Sequence, residues 1–161
     1  MTPPRSGQAI ELGAGVGLVS LVAALRGATV IATDRVDNMG LLEHNVEANR
    51  FAGEVSAKPL SWGEEARSVS WSEEGFDLVL GAEIVYDARL FPALLATLES
   101  LLRAKEGAQG LIAYKERGIE ERTFFDSLRE AGWAVETEPL LGDHEYCLIR
   151  ISDSNGGSAA S

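Results

Sequence analysis

Cysteine is nearly absent from the chain: Cys147 stands alone among 161 residues, which excludes an intrachain disulfide framework and points to a reducing compartment. Histidine is almost as scarce. His44 and His144 have no cysteine or carboxylate neighbour in metal-ligand or catalytic spacing, so no metal site is expected and both are read as structural. No apolar run approaches the roughly 18 residues of a membrane span, and residues 1–8 lack the apolar core of a signal peptide. Basic residues are outnumbered, 14 against 25 acidic ones, for a net charge of −11. Such a surface repels nucleic-acid phosphates and favours cationic partners. The expectation is a monomer in the cytoplasm, and also in the nucleus, with no nucleic-acid or membrane partner.

What is there in quantity is apolar material. Hydrophobic residues make up 45% of the chain and charged ones 24%, an ordinary balance for one globular domain with a real core. Residues 8–12 form a short apolar run before a glycine-rich turn, and 18–26 follow with helical composition up to Gly27. Residues 29–33 read as a buried β-branched strand ending at Asp34, after which Asp37 or Asn38 can cap a helix to about Asn49. Further strands are expected at 54–60 and 76–82, the latter the clearest buried strand of the chain. Residues 63–75 between them read as a loop with at most a helical turn. The Leu90, Leu94, Leu95, Leu98, Leu101 and Leu102 stripe predicts a helix over 89–103.

A fifth strand at 110–114 and a helix at 120–131 follow, then strands at 133–137 and 146–151 joined through Pro139, Gly142 and Asp143. Alternating strands and helices predict a mainly parallel sheet covered on both faces, and the last pair, with no helix between them, should run antiparallel. The domain is expected over residues 1–151, with a small polar tail over 152–161 that cannot bury enough area to order itself.

The run Glu11-Leu12-Gly13-Ala14-Gly15-Val16-Gly17 sits at the carboxyl end of the first strand, where open α/β sheets bind ligands. Glycines there let the backbone turn tightly and come close to a ligand. The spacing is G-x-G-x-G, and Leu18 occupies the place of a dinucleotide fingerprint's third glycine. The loop therefore suits a nucleoside cofactor better than a pyrophosphate. Asp34, ending the second strand, is placed to accept hydrogen bonds from two ribose hydroxyls.

These residues, with Ala32-Thr33-Asp34, the stretch from Asn38 to Asn49, Leu60-Ser61-Trp62-Gly63 and the stretch from Phe76 to Tyr86, resemble the seven-β-strand S-adenosylmethionine methyltransferases, within them the lysine methyltransferase branch called methyltransferase family 16. The pieces keep the family's order over roughly residues 8–115. The resemblance implies a Rossmann-like three-layer α/β/α sandwich with a seven-stranded, mostly parallel sheet in the order 3-2-1-4-5-7-6, strand 7 antiparallel. It implies S-adenosylmethionine as cofactor across the ends of strands 1, 2 and 4. By analogy Glu11 lies near the methionine end, Gly13, Gly15 and Gly17 line the loop, Asp34 holds the ribose, Trp62 packs by the adenine, and Ala82 adjoins the cofactor.

The exit of strand 4, Ala82-Glu83-Ile84-Val85-Tyr86, looks like the family's acidic-x-x-Tyr motif between cofactor and acceptor. Glu83 is read as the group that orients the incoming lysine ammonium and Tyr86 as a wall of its channel; the alternative for Glu83 is a helix cap and for Tyr86 ordinary packing. Tyr114-Lys115-Glu116-Arg117 is similar to the polar segment at the acceptor mouth. The implied activity is transfer of a methyl group to a lysine of a protein, a basic one or one of the chaperone or translation type. A methyltransferase for a small molecule or another protein atom, and a cofactor-binding domain without catalysis, are the other readings. Family members carry a segment before strand 1 that covers the cofactor, and residues 1–7 are too short to form it, so the expectation is either a fragment or mis-started product of a longer chain or a more open site.

Overall fold

The computed structural model describes residues 7–50, 53–63, 71–72, 74–140 and 143–154. The expectations for residues 1–6, for a helical turn within 64–70, for Gly142 and for the tail from 155 lie outside the described residues. In chain order the elements are β1 (Gln8–Leu12), α1 (Leu18–Leu25), β2 (Thr29–Asp34), α2 (Met39–Ala48), β3 (Val55–Pro59), β4 (Leu78–Ala82), α3 (Phe91–Arg103), β5 (Gln109–Lys115), α4 (Ile119–Glu130), β6 (Trp133–Leu140) and β7 (Asp143–Asp153).

The strands form one sheet in the order β3-β2-β1-β4-β5-β7-β6. The pairs from β3 through β5 are parallel, and β7 runs antiparallel to both β5 and β6. Successive residues of a strand point to opposite faces, and the two faces bury different materials. Ile10, Leu12, Val79, Ile112 and Ile149 pack with Leu94, Leu98, Leu101 and Leu102 of α3 and Phe124, Phe125 and Leu128 of α4. Each of those α3 leucines, at most 4% exposed, contributes about 2 kcal/mol by leaving water. On the opposite face Ala9, Val30 and Leu80 meet Ala24 and Ala28, and Ala32 meets Met39 and Leu42 of α2. Small side chains there let α1 lie close on β1.

α2 begins where the sequence puts it, at Met39 directly after Asn38; a 3₁₀ turn over Val36–Asn38 leads into it, and Asn38, itself in right-handed helical conformation, makes no side-chain cap hydrogen bond. Two boundaries differ from the sequence-based expectation, each for a local reason. The helix expected from Arg89 begins at Phe91, after a 3₁₀ turn over Ala88–Leu90 in which the Arg89 N–H donates to Asp87 Oδ1 at 3.0 Å. β6 continues through Pro139, which sits at a register shift on the sheet's edge, where a residue without an N–H is tolerated.

β7 also runs further than expected. Ser152 pairs with Ala134 and Asp153 with Trp133, and the Ser154 hydroxyl donates to the Gly132 carbonyl at 2.8 Å. Ser152 and Asp153, placed in the polar tail by composition, are part of the sheet because β6 offers them a partner strand.

β1 is flanked by β2 on one side and β4 on the other. The chain order reverses there, and the loops leaving the carboxyl ends of β1, β2 and β4 diverge to leave a crevice.

Candidate functional site

Gly13, Asp34, Trp62, Ala82, Glu83 and Tyr86, read from sequence as site residues, line one cavity of about 310 Å³. Its remaining wall is Arg35, Asn38, Leu60, Ser61, Ile84, Leu90 and Ala93. The size lies at the lower end of the roughly 300–1,000 Å³ of small-molecule sites. Glu11, Gly15 and Gly17 do not line it; they build the loop that does.

Glu11 is 2% exposed and turned under the loop. Its Oε2 accepts the Ser20 backbone N–H at 2.9 Å and the Ser20 hydroxyl at 2.5 Å, so the carboxyl ties the end of β1 to the first turn of α1. Burial, opposed by those two hydrogen bonds, pushes its pKa up to about 7. Gly13 has φ +62°, and a Cβ there would lie 2.9 Å from Ile84 Cγ2 and 3.4 Å from Trp62 Cζ2, both part of the cavity wall. Gly17 is the residue preceding α1 and abuts Leu42.

Asp34 is 8% exposed, and its carboxylate organises three segments. Oδ2 accepts the Gly15 N–H at 2.7 Å; Oδ1 accepts the Arg35 N–H and the Asn38 side-chain amide, both at 2.7 Å. The acid at the end of β2 thus holds the glycine loop of β1 in place while presenting its remaining lone pairs to the cavity. Asn38 was not identified as a site residue from sequence, where it served as a cap candidate. The signal was its spacing of four from Asp34 across a turn.

Trp62 lies on the segment after β3, half-buried against the large core. Its position is secured by a residue sequence reasoning missed: Thr97 of α3, fully buried, accepts the Gly63 N–H at 2.9 Å and donates to the Ala93 carbonyl at 2.9 Å.

At the exit of β4, Glu83 has φ +56°, the one positive φ outside glycine among the described residues. A side chain in that region is strained, and such strain concentrates at functional sites. The Glu83 N–H donates to the Ala113 carbonyl at 2.8 Å, Oε1 accepts the Lys115 N–H at 2.5 Å, and Oε2 is paired with the Arg117 guanidinium. Glu83 therefore caps no helix; Asp87 accepts the N–H at the start of the next turn. Tyr86 is 58% exposed, a poor value for a packing residue and a suitable one for the wall of an open channel. Of the polar segment read from sequence, Lys115 reaches Glu83 through its backbone N–H and Arg117 through its side chain. Tyr114 points into the core, 4.9 Å from the Phe125 ring, and burial pushes its phenol up to about 12.

The lining fits a nucleoside. It combines a carboxylate for hydroxyl groups, an aromatic and aliphatic wall from Trp62, Leu60 and Ile84, and a loop whose glycines leave room for close approach. Among the described residues no cluster of His, Cys, Asp and Glu could hold a metal ion.

Comparison with known proteins gives the same picture. A protein N-lysine methyltransferase METTL21A from Danio rerio is 39% identical over 136 residues, covering 75% of this chain and 62% of that protein. The Mus musculus METTL21A is 46% identical over 100 residues, covering 60% and 45%. The Saccharomyces cerevisiae protein-lysine N-methyltransferase EFM6 is 35% identical over 133 residues, covering 74% and 54%. The chain thus spans about half to three-fifths of the length of these relatives.

Among solved structures, an O-methyltransferase family protein from Burkholderia thailandensis superposes with a TM-score of 0.72 at 17% identity, over 94% of this chain and 52% of that one. The magnesium protoporphyrin IX methyltransferase of Synechocystis, solved with bound SAM, superposes with a TM-score of 0.63 at 14% identity, over 92% and 71%. Those likenesses are of fold. The family model described as lysine methyltransferase matches residues 4–131, and the chain belongs to that lysine methyltransferase family.

Proposed function

We propose that this protein transfers a methyl group from S-adenosylmethionine to a lysine side chain of a protein. The observation that carries the reading is that one cavity joins Asp34, at the end of β2, to Glu83 and Tyr86, at the exit of β4. A nucleoside held at the first would reach the acceptor groups at the second. When bound, the cofactor supplies a sulfonium-activated methyl, so that the lysine nitrogen forms an N–C bond as the C–S bond breaks.

The chain's own residues then have separable tasks. Asp34 takes hydroxyl hydrogen bonds, and Trp62 and Leu60 shelter the base. Glu83 orients the incoming ammonium, which must lose a proton before it attacks, and Tyr86 narrows the channel to align the approach. Positioning, not an acid–base pair, is the main contribution. The partner is a protein, and a net charge of −11 suits a basic one. A relative named EEF1A lysine methyltransferase 3, from Mus musculus and 38% identical over 118 residues, supports a translation-factor type of substrate. A chain with a single cysteine suits the reducing cytoplasm and nucleus, where we place it as a monomer.

The test combines calorimetric titration with S-adenosylmethionine and S-adenosylhomocysteine and transfer of labelled methyl to a cell lysate, with amino-acid analysis of the labelled band. The expected product is methyl-lysine, and Tyr86→Ala should leave cofactor affinity unchanged while lowering turnover at least about tenfold. Label on another residue, or on small molecules only, would defeat the lysine reading. Cofactor binding without any transfer would favour a binding domain.

A further inference from the structure

Glu83 meets a cation before any substrate arrives. Its Oε1 is committed to the Lys115 backbone N–H at 2.5 Å, which leaves Oε2 for a charged partner, and Arg117 Nη2 is seated there. The surrounding cations have other partners: Arg89 pairs with Asp87, Lys115 with Glu145 and Arg122 with Glu116. We propose that Arg117 is a placeholder for the substrate's ammonium group, displaced from Glu83 when a lysine enters, and that this exchange selects cationic side chains; the inference rests on the reading of Glu83 as the amine-binding carboxylate.

The physical case has three parts. The pair is accessible, with side-chain exposures of 45% for Arg117 and 48% for Glu83, so the guanidinium can leave into water at little cost. Its other hydrogen bond among the described residues is a long one, Nη1 to the Lys115 carbonyl at the end of β5, at 3.3 Å. In place, the guanidinium keeps its charge at every working pH and repels an approaching ammonium. A lysine can take its position one charge for one charge, whereas a neutral side chain would leave Glu83 without a counter-ion. Arg117 is thus a specificity-determining residue that acts through Glu83.

The experiment uses the full chain with S-adenosylhomocysteine and the probe N-acetyl-lysine methylamide, titrated by NMR, with N-acetyl-norleucine methylamide as the uncharged control. Arg117→Gln is expected to bind the lysine probe at least threefold more tightly than wild type, and Arg117→Lys, which restores a cation, to bind like wild type. Arg122→Gln makes the same change in net charge nearby and should leave affinity unchanged, separating local exchange from general electrostatics. In Glu83→Gln/Arg117→Gln the gain should vanish. Equal or weaker binding by Arg117→Gln, including no detectable shift in either protein, overturns the placeholder. If the gain survives the loss of the Glu83 carboxylate, the reading of Glu83 itself is what fails. Circular dichroism of each variant checks that the fold is retained.

Discussion

Glu11 Oε2 receives both the N–H and the hydroxyl of Ser20, so that a carboxyl at the end of β1 fastens the start of α1 from below the glycine loop. The group is buried, and its pKa is raised from 4.5 to about 7, with burial the largest cause. Between those values the folded chain holds a proton that the unfolded chain has released. Stability from this group is therefore present at and below about pH 4.5 and is lost as pH rises through 7, by on the order of 3 kcal/mol in all. Glu11→Gln should flatten that dependence. Urea unfolding of both proteins between pH 5 and 8 measures it; a wild type no more pH-sensitive than the variant over this range would remove the account.

The two glycines flanking Ala14 should respond differently to a methyl group. Gly15 has φ +55° and nothing within 4 Å of a built Cβ, so Gly15→Ala should cost about 1–2 kcal/mol for the left-handed backbone alone. Gly13→Ala adds contact with Ile84 at 2.9 Å, for roughly 2–4 kcal/mol in total. Cofactor affinity should fall more in Gly13→Ala, because Ile84 and Trp62 are walls of the cavity. Equal losses of stability in the two variants would contradict the crowding argument.

Asp34→Ala should weaken S-adenosylmethionine binding by about 1.5–3 kcal/mol through lost charge-assisted hydrogen bonds. It also releases the Gly15 N–H and the Asn38 amide, so thermal stability should fall in the absence of cofactor. Calorimetry and a melting curve separate the effects, and unchanged affinity would take Asp34 out of the site.

Thr97→Val keeps the shape of the side chain and removes the acceptor of the Gly63 N–H. A loss of about 1–2 kcal/mol is expected for the unsatisfied group. Trp62 fluorescence cannot be read alone beside Trp71 and Trp133, so the measurement is cofactor affinity in Thr97→Val against a Trp62→Phe background. If the Thr97 effect persists undiminished without Trp62, the threonine acts through some other residue.

The amino-acid sequence by itself determined the order and class of the elements, because apolar periodicity, β-branched runs and glycine stops are local signals. The resemblance of its motifs to the family's also pointed to Gly13, Asp34, Trp62, Ala82, Glu83 and Tyr86, and those residues line one cavity. What the sequence did not determine was direction and partnership. Glu11 belongs to the same motif as Gly13, yet its side chain turns to Ser20, and Tyr114 adjoins Lys115, yet it faces the core. Strand parity and the packing of helices decide those orientations. Thr97 acquired its place only in the tertiary structure, because another element brings Gly63 to it; Asn38 reaches Asp34 across a local turn, and Arg117, whose segment resembles an acceptor mouth in sequence, finds its partner Glu83 only because β4 pairs with β5. The length of β7 was settled the same way: a polar strand end is ordered when a neighbouring strand can satisfy its backbone, and composition carries no record of that neighbour.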